Sequence, residues 1–567
     1  MRANPKRPIA VALAAVVITA TVAAAQEARR VAVTPERAAE LLDLINRPET
    51  VRMAGASRIA VGTEIVGDVA VIGGPLHLAG RVRGSVFVLN GDAFLEPGAA
   101  VDGDLIVVGG SVTGVDSATV AGRVEVYREP LRYRLENGRL VPPLAEEEPG
   151  LSAGHEFRYG RTDLTLASHR GYNRVEGLPI RLGPRFETWS ANPTRVEAYL
   201  IYRTESGFDV DAADFGYLFR AEQFLGGRRA LRVGATLHSE IVPIESWGLT
   251  DSENALSTFL LRRDHRDHYE RVGWSAYVRA APHGGRFDVQ LGYRDERHTS
   301  VGVGAPWTPF GDAAWRPQPR VAEGRLRSLV ARIGYDTRNE GADPTTGWWI
   351  RAELERGLGG SLEVPRVIED NDLFVAPPGP LVTFVPAETE FAAGFLDLRR
   401  YARLSPSSIL ALRVVTGTSL NDRPLPPQRQ HALGGEGSLP AYRPFQFDCG
   451  ARETAPRVDG MLAYYGCDRL ILLQLEYRTG FPIGHGWGRK LGADIDLGET
   501  PGWVVFFDAG RAWTDRAALD GRTDGLDDFA ADVGVGLRLG RLGLYWALPL
   551  SGREDNVNFF VRLGTRI

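Results

Sequence analysis

The sequence is short of the residues on which most protein chemistry depends. Its 567 residues include only 2 cysteines, 3 methionines and 10 histidines. No His-Glu-x-x-His, phosphate-binding Gly-Lys loop or Gly-x-Ser-x-Gly occurs, so zinc peptidase, nucleotide hydrolase and serine hydrolase chemistry have no anchor. His155, His169 and His431 are isolated, and nothing pairs them with a nucleophile. Positive charge is not in excess either. A formal net charge of -5 leaves no basic footprint for nucleic acid. After Val22 no apolar run reaches the ~18 residues of a spanning helix. The chain is therefore expected to be no enzyme, with no metal site, no cofactor and no nucleic-acid partner.

What is present begins with Arg2, Lys6 and Arg7, an apolar stretch from Ile9 to Val22, and Ala23-Ala24-Ala25 before Gln26. That pattern is expected to be a secretory signal peptide over 1–25, with an uncleaved anchor as the alternative. In a secreted chain Cys449 and Cys467, 18 residues apart, form either a disulfide or two free thiols.

Between Val61 and Tyr127 the sequence repeats. Gly67, Gly84 and Gly103 precede short apolar alternations, and Gly74, Gly91 and Gly110 follow them. A period near 18 with glycine corners is what a stacked β-solenoid requires, and about four coils fit in 51–127. The stretch resembles the bactofilin-type polymer-forming solenoid. It is expected to be a rigid spacer or a self-associating stack. An amphipathic helix from Pro35 to Leu44, within 26–50, is expected to cap the first coil. Pro142-Pro143 and Glu146-Glu147-Glu148-Pro149-Gly150 suit an exposed linker over 128–154.

From 155 to 567 the chain shows segments of roughly ten residues, apolar at alternate positions, between clusters of Gly, Pro, Asp and Asn. "DRLILLQLEYR" sets Ile471, Leu473, Leu475 and Tyr477 against Gln474 and Glu476. Tilted membrane strands need ~9 to 11 residues, and closure must satisfy every backbone hydrogen bond. Charge falls on one face only, as a polar lumen and an apolar lipid face demand. The expected fold class is all-β: an outer-membrane antiparallel barrel of about sixteen strands behind a periplasmic solenoid. In the last segment Phe559, Val561, Leu563 and Ile567 are expected to face outward as the C-terminal assembly signal, with Arg562 and Arg566 inward. With both termini periplasmic, Ser551 to Asn556, 514–530 and Ser419 to Asp468 fall outside. Gly540-Arg541 is then a periplasmic turn, as is the stretch Gly480 to Gly502. Four aspartates in 520–528 lack calcium-loop spacing and read as a solvated loop.

One strand carries an anomaly. In "VVFFDAGRAW" Val504, Phe506, Asp508, Gly510 and Ala512 share a face, which puts a carboxylate in the lumen beside a glycine that leaves room for another chain. A lumenal carboxylate wants a cation. The candidates are an arginine on a loop folded back into the barrel or an arginine of a neighbouring strand. Phe506, Asp508 and Gly510 match the Phe-x-Asp-x-Gly strand motif of the bacterial surface antigen family, the superfamily of outer-membrane assembly factors and two-partner-secretion transporters. "HALGGEGSLPAYRPF" resembles its lumen-inserted loop, with Gly434, Gly435, Tyr442 and Arg443, and the resemblance makes Arg443 the loop's candidate partner for Asp508. "YDTRNEGADPTTGWW" looks like its strand-end motif, with Asp336, Arg338, Pro344 and Gly347. "VGVGLRLGRLGLYWALPL" resembles its penultimate hairpin. The resemblance covers roughly 155–567. It departs at the loop tip, where Leu439-Pro440-Ala441-Tyr442 replaces the family's Arg-Gly before an aromatic, and in the absence of POTRA-like modules.

What this resemblance implies is a barrel that inserts or transports polypeptide at the outer membrane, its partners being outer-membrane lipid and polypeptide clients or envelope components. The alternative is a membrane anchor or narrow pore whose solenoid self-associates or binds the envelope.

Overall fold

The computed structural model describes residues 33 and 35–567, except 128–130, 132, 137–138, 142–149, 158, 189, 191, 206, 208–210, 227–230, 282–285, 311–313, 339–342, 369–380, 406–407, 450–455, 481–500, 515–528, 541 and 552–555. The signal-peptide reading, the 520–528 loop and most of the stretch Gly480 to Gly502 lie outside the described residues.

Residues 51–127 wind into a three-sided parallel solenoid. One side is a five-stranded sheet through Val51–Ala54, Val69–Ile72, Val86–Leu89, Leu105–Val108 and Val124–Tyr127, and each other side has four short strands. Every ladder is parallel, with Val69 opposite Val86 and Val86 opposite Leu105. Val71, Val88, Val107, Leu76 and Leu78 point inward and are fully or almost fully buried. The corners carry an unforeseen device, in which an aspartate accepts a backbone N–H from the next coil: Asp68 from Ser85 at 2.7 Å, Asp92 from Ser111 at 2.8 Å, Asp104 from Arg123 at 2.7 Å.

Helix α1 (Pro35–Ile45) does not cap the first coil. Its Leu41, Leu42 and Ile45 pack on Ala70, Phe87, Leu89, Ile106 and Val108, on the outer face of the five-stranded sheet. The reason lies in "VFVL" and "LIVV": strands apolar at every position need cover on both faces. Glycine corners are equally constrained. A Cβ at Gly91 would overlap the carbonyl oxygen of Gly74, and one at Gly110 that of Gly91. Gly91→Ala is therefore expected to cost the solenoid about 3 kcal/mol, at the top of the overpacking range. In the full chain, protease should cut within 51–127 while the barrel keeps its heat-dependent gel mobility.

Beyond the solenoid, and apart from two short hairpins, the described residues form one antiparallel sheet of eighteen strands. They are β1 (Gly150–Phe157), β2 (Gly160–Ser168), β3 (Ile180–Thr188), β4 (Thr194–Tyr202), β5 (Phe215–Leu225), β6 (Leu231–Pro243), β7 (His268–Ala280), β8 (Phe287–Ser300) and β9 (Glu323–Asp336). Next come β10 (Gly347–Ile368), β11 (Leu381–Pro386), β12 (Ala392–Ser405), β13 (Ser408–Ser419), β14 (Arg469–Gly480), β15 (Gly502–Trp513), β16 (Ala530–Leu539), β17 (Leu542–Pro549) and β18 (Asn558–Leu563).

Two features separate this from the expected sixteen. Both β11 and β12 pair with the long β10, at Glu363–Ile368 and Gly347–Arg356 respectively, so they are one interrupted crossing. β1 is the second: it begins in what reads as linker and pairs along β2 from Gly150 to Phe157. With alternating directions β1 and β18 run in the same sense, and no ladder joins them among the described residues.

Burial follows the alternation. On β14, Ile471, Leu473, Leu475 and Tyr477 are 37–39% exposed, while Leu472, Gln474, Glu476 and Arg478 are at most 3% exposed. The sheet curls until its inner face holds long-range ion pairs, such as Arg562 of β18 with Glu253. No helix among the described residues is long and apolar enough to cross a membrane; the exposed apolar face belongs to strands.

Candidate functional site

Asp508 sits on the inner face of β15, fully buried, with Val504 and Phe506, whereas Trp503 and Val505 are about half exposed on the outer face. Its ladder partners are Gln474 on β14 and Asp532 on β16. Two carboxylates thus stand side by side in the lumen, and a third, Glu476, is fully buried one pleat away.

The cation that answers them is Arg566. Its Nη2 donates to both oxygens of Asp508 at 2.8 and 2.7 Å, and its Nε to Glu476 at 3.1 Å. The guanidinium lies 3.8 Å above the Phe506 ring, where quadrupole attraction adds to the ion pair in a desolvated site. Both expectations for the partner are corrected: it is neither Arg443 nor an arginine of a neighbouring strand. β18 stops at Leu563, and Gly564 at φ +103° turns the chain inward, so the tail crosses the lumen and carries Arg566 to Asp508. The same turn corrects Ile567. Phe559, Val561 and Leu563 face outward at 42–49% exposure, but Ile567 is 1% exposed and packs on Tyr401 and Ala411. Arg478 holds its backbone oxygen at 3.0 Å.

An aromatic cluster floors the site. Phe506 meets Tyr545 and Phe560 edge-on at 6.2 and 6.3 Å, and those two stack at 5.1 Å. The rings lie flat on glycines: a Cβ at Gly534 would overlap Phe506, and one at Gly536 or Gly543 would overlap Tyr545. The Gly-x-Gly of "DVGVGLRLG" is room for rings.

The loop 431–447 folds into the lumen. Gly434 at φ +117° and Gly435 at φ +86° make its turn, and a Cβ on Gly434 would overlap the carbonyl oxygen of Arg443. Leu433, Leu439 and Tyr442 are buried in the cluster that contains Phe506, Tyr545 and Phe560. The tip is held by its backbone. Ala441 N–H donates to Asp532 at 3.1 Å, Gln474 to the Ser438 oxygen at 3.0 Å, and Asn558 to the Pro440 oxygen at 2.6 Å. Tyr442 Oη is 2.8 Å from the carbonyl oxygens of Ala531 and Ser551. Burial pushes the Glu436 carboxyl at the tip above its ordinary value, with Arg562 and Arg263 opposing. Arg443 points elsewhere. It is exposed at a cavity of about 880 Å³ shared with Arg262, Arg263, Trp315 and Arg316.

Asp336 and Arg338 pair with each other at 2.7 Å, and Arg338 lies near the Trp349 ring; neither reaches Asp508. Gly347 at φ +112° turns there because a Cβ would overlap the Thr337 oxygen. From the same turn Asp343 bonds Arg538 at 2.9 Å and Arg478 at 3.2 Å, a role sequence reasoning missed although the residue lies within the quoted motif. Cys449 and Cys467 form a disulfide with Cα atoms 5.0 Å apart, tying the loop's outgoing limb to the entry of β14.

A second lumenal element had no forecast. Between β6 and β7, helix α2 (Asp251–Leu261) sits inside the curl of the sheet, and its Glu253 pairs with Arg562 at 2.7 Å. Nearby, His431 faces Glu245 at 2.9 Å, and His169 faces Glu240 at 2.9 Å. Among the described residues no group of three His, Cys, Asp or Glu stands close enough to hold a metal.

Residues 318–567 match the Omp85 superfamily domain, the stretch that holds all four motifs quoted above. Among solved structures, BamA from Haemophilus ducreyi lacking POTRA domains 1–3 aligns at 13% identity over 74% of this chain and 75% of that one, with a TM-score of 0.43. CdiB from Escherichia coli aligns at 12% identity over 74% and 68%, with a TM-score of 0.29. No curated protein sequence matches significantly.

Proposed function

We propose that this chain, an outer-membrane barrel whose residues 318–567 match the Omp85 superfamily domain, inserts or transports polypeptide at the outer membrane. The observation that carries the reading is a lumen filled by the chain's own inserted loop and locked at Asp508, in a sheet whose first and last strands share no ladder among the described residues. A strand edge with free N–H and C=O groups is a template for another chain. A filled lumen makes a passive diffusion pore a poor use of the same wall. Polypeptide therefore engages at the seam, and the loop and tail keep the barrel shut until it does.

Depleting the protein and taking inventory of the outer membrane tests this. The expected result is selective loss of other β-barrel or secreted proteins; an unchanged inventory contradicts it.

A second reading is favoured by the solenoid's ends. Among the described residues Val51–Ala54 and Val124–Tyr127 each have a ladder on one side only, and Val61 and Val66 are more than three-quarters exposed. In that reading the barrel anchors a self-associating stack. Sedimentation of the full chain in detergent separates the two, since a concentration-independent monomer argues against the stack.

A further inference from the structure

The last strand is short, and its ladder accounts for only one of its edges. β18 pairs with β17 from Asn558 to Leu563. On the lumenal side it is gripped instead by α2. Arg562 donates from Nε to Glu253 Oε1 at 2.7 Å and from Nη2 to Oε2 at 3.2 Å, and the backbone N–H of Leu563 donates to the same carboxylate at 3.1 Å. The remaining Arg562 amino group donates to the loop-tip carbonyl of Glu436 at 3.2 Å. Both side chains are about 5% exposed, and their residues are 309 apart in sequence.

Glu253 is itself fixed. It belongs to a capping box, in which its Oε2 accepts from the Thr250 hydroxyl at 2.9 Å while its own N–H donates back to that oxygen at 3.3 Å. A carboxylate in the first turn of a helix is also favoured by the helix dipole.

The other side of α2 is seated on the loop that follows β2, the strand to which the first strand β1 is paired. A Cβ at Gly171 would lie 2.7 Å from Ala255 Cβ and from the Asp251 oxygen, so only glycine lets the helix come so close. Tyr172 packs edge-on against Phe259 at 5.2 Å. Asn254 then bonds Asp264 at 3.1 Å, and Asp264 accepts the backbone N–H of Arg174 at 3.0 Å. One helix therefore touches both the last strand and the loop after β2, which carries the first strand β1 along its other edge.

We infer that α2 is the latch of the seam, with Glu253 and Arg562 as the positioning residues that hold β18 in place, so that polypeptide entering at the seam must first part this pair. The inference rests on the seam reading proposed above. It explains why the last strand stays registered although no second ladder holds it among the described residues. Where strand pairing is cooperative and hard to undo, a single bidentate ion pair is one local event that an incoming chain can reverse.

Hydrogen exchange on the full chain in detergent tests the latch independently of transport. Glu253→Gln keeps the shape and removes the charge. It should raise exchange of Leu563 and the β17–β18 ladder amides at least tenfold and leave the β14–β15 ladder unchanged. Arg562→Gln should do the same, and the double variant should fall well short of the sum of the two single ones, because both remove the same ion pair. If Glu253→Gln folds poorly, Gly171→Val reports instead, since it lifts the helix without touching the ion pair and should give the same local pattern. Unchanged exchange at β17–β18, or an equal rise across all ladders, overturns the inference. Loss of insertion activity in the wild type would sink the functional reading alone and leave this measurement standing.

Discussion

Arg566→Ala is expected to unlock the lumen and to be the most damaging single substitution in the barrel. The guanidinium is 1% exposed, makes two bonds to Asp508 and one to Glu476, and covers the Phe506 ring. Removing it strands the fully buried Asp508 with Asp532 beside it, while Glu476 keeps Arg478, and breaking one side of a buried pair costs about 3–5 kcal/mol. Because Asp532 also holds the loop tip through the Ala441 N–H, the effect should travel to the loop. Protease should then cut within 434–447, and conductance in planar bilayers should rise. Arg566→Lys should recover only part of this, since an ammonium offers neither the planar fork nor the same stacking. Arg443→Ala should leave both readouts unchanged. Equal effects at 443 and 566 would mean that the tail is not the lock.

Gly534→Val is the second large expectation, reached by sterics rather than charge. Its Cβ would overlap the Phe506 ring and the Trp546 carbonyl oxygen, neither of which can yield. The backbone belongs to the ladder, and the ring is pinned between Arg566 and two aromatic neighbours. Overpacking of this kind costs about 3 kcal/mol or more. Displacing Phe506 also removes the face on which Arg566 rests, so loop protease sensitivity should rise as in the charge variant. Gly302, where a Cβ meets nothing within 4 Å, is the control, and Gly302→Ala should be silent. A Gly534→Val protein with wild-type heat-dependent gel mobility and an uncut loop would contradict the packing described here.

Much of this was legible in the sequence, for a physical reason. A strand with hydrocarbon on one side and water on the other must alternate, so the inner placement of Asp508, Glu476 and Arg562 followed from parity alone. The solenoid was legible because its glycines sit where coils stack too closely for a Cβ. What escaped were relations that parity does not encode. Arg566 was read as lumenal, but its partner lies 58 residues away, and the tail's inward turn depends on the positive φ of Gly564. Alternation continued past that point wrongly sent Ile567 outward. Helix α2 was hidden among segments read as strands and the turns between them. Its sequence "DSENALSTFLL" is marked mainly by the Thr250–Glu253 capping box, three residues apart, which invites a helix but says nothing of a lumen. β1 was obscured by the Glu-Pro-Gly composition just before it, although Leu151, Ala153, His155 and Phe157 alternate. The position of α1 was inferable from the doubly apolar solenoid strands, a signal that the corner pattern outweighed.

That this locked barrel handles polypeptide is tested most directly by insertion into liposomes. Full-length protein is reconstituted, a urea-unfolded outer-membrane β-barrel precursor is added, and its folding is followed by protease protection and heat-dependent mobility. The account predicts folding several-fold faster than with empty liposomes, and an altered rate with Arg566→Ala. Folding no faster than into lipid alone, by a protein that is itself correctly folded, would contradict it.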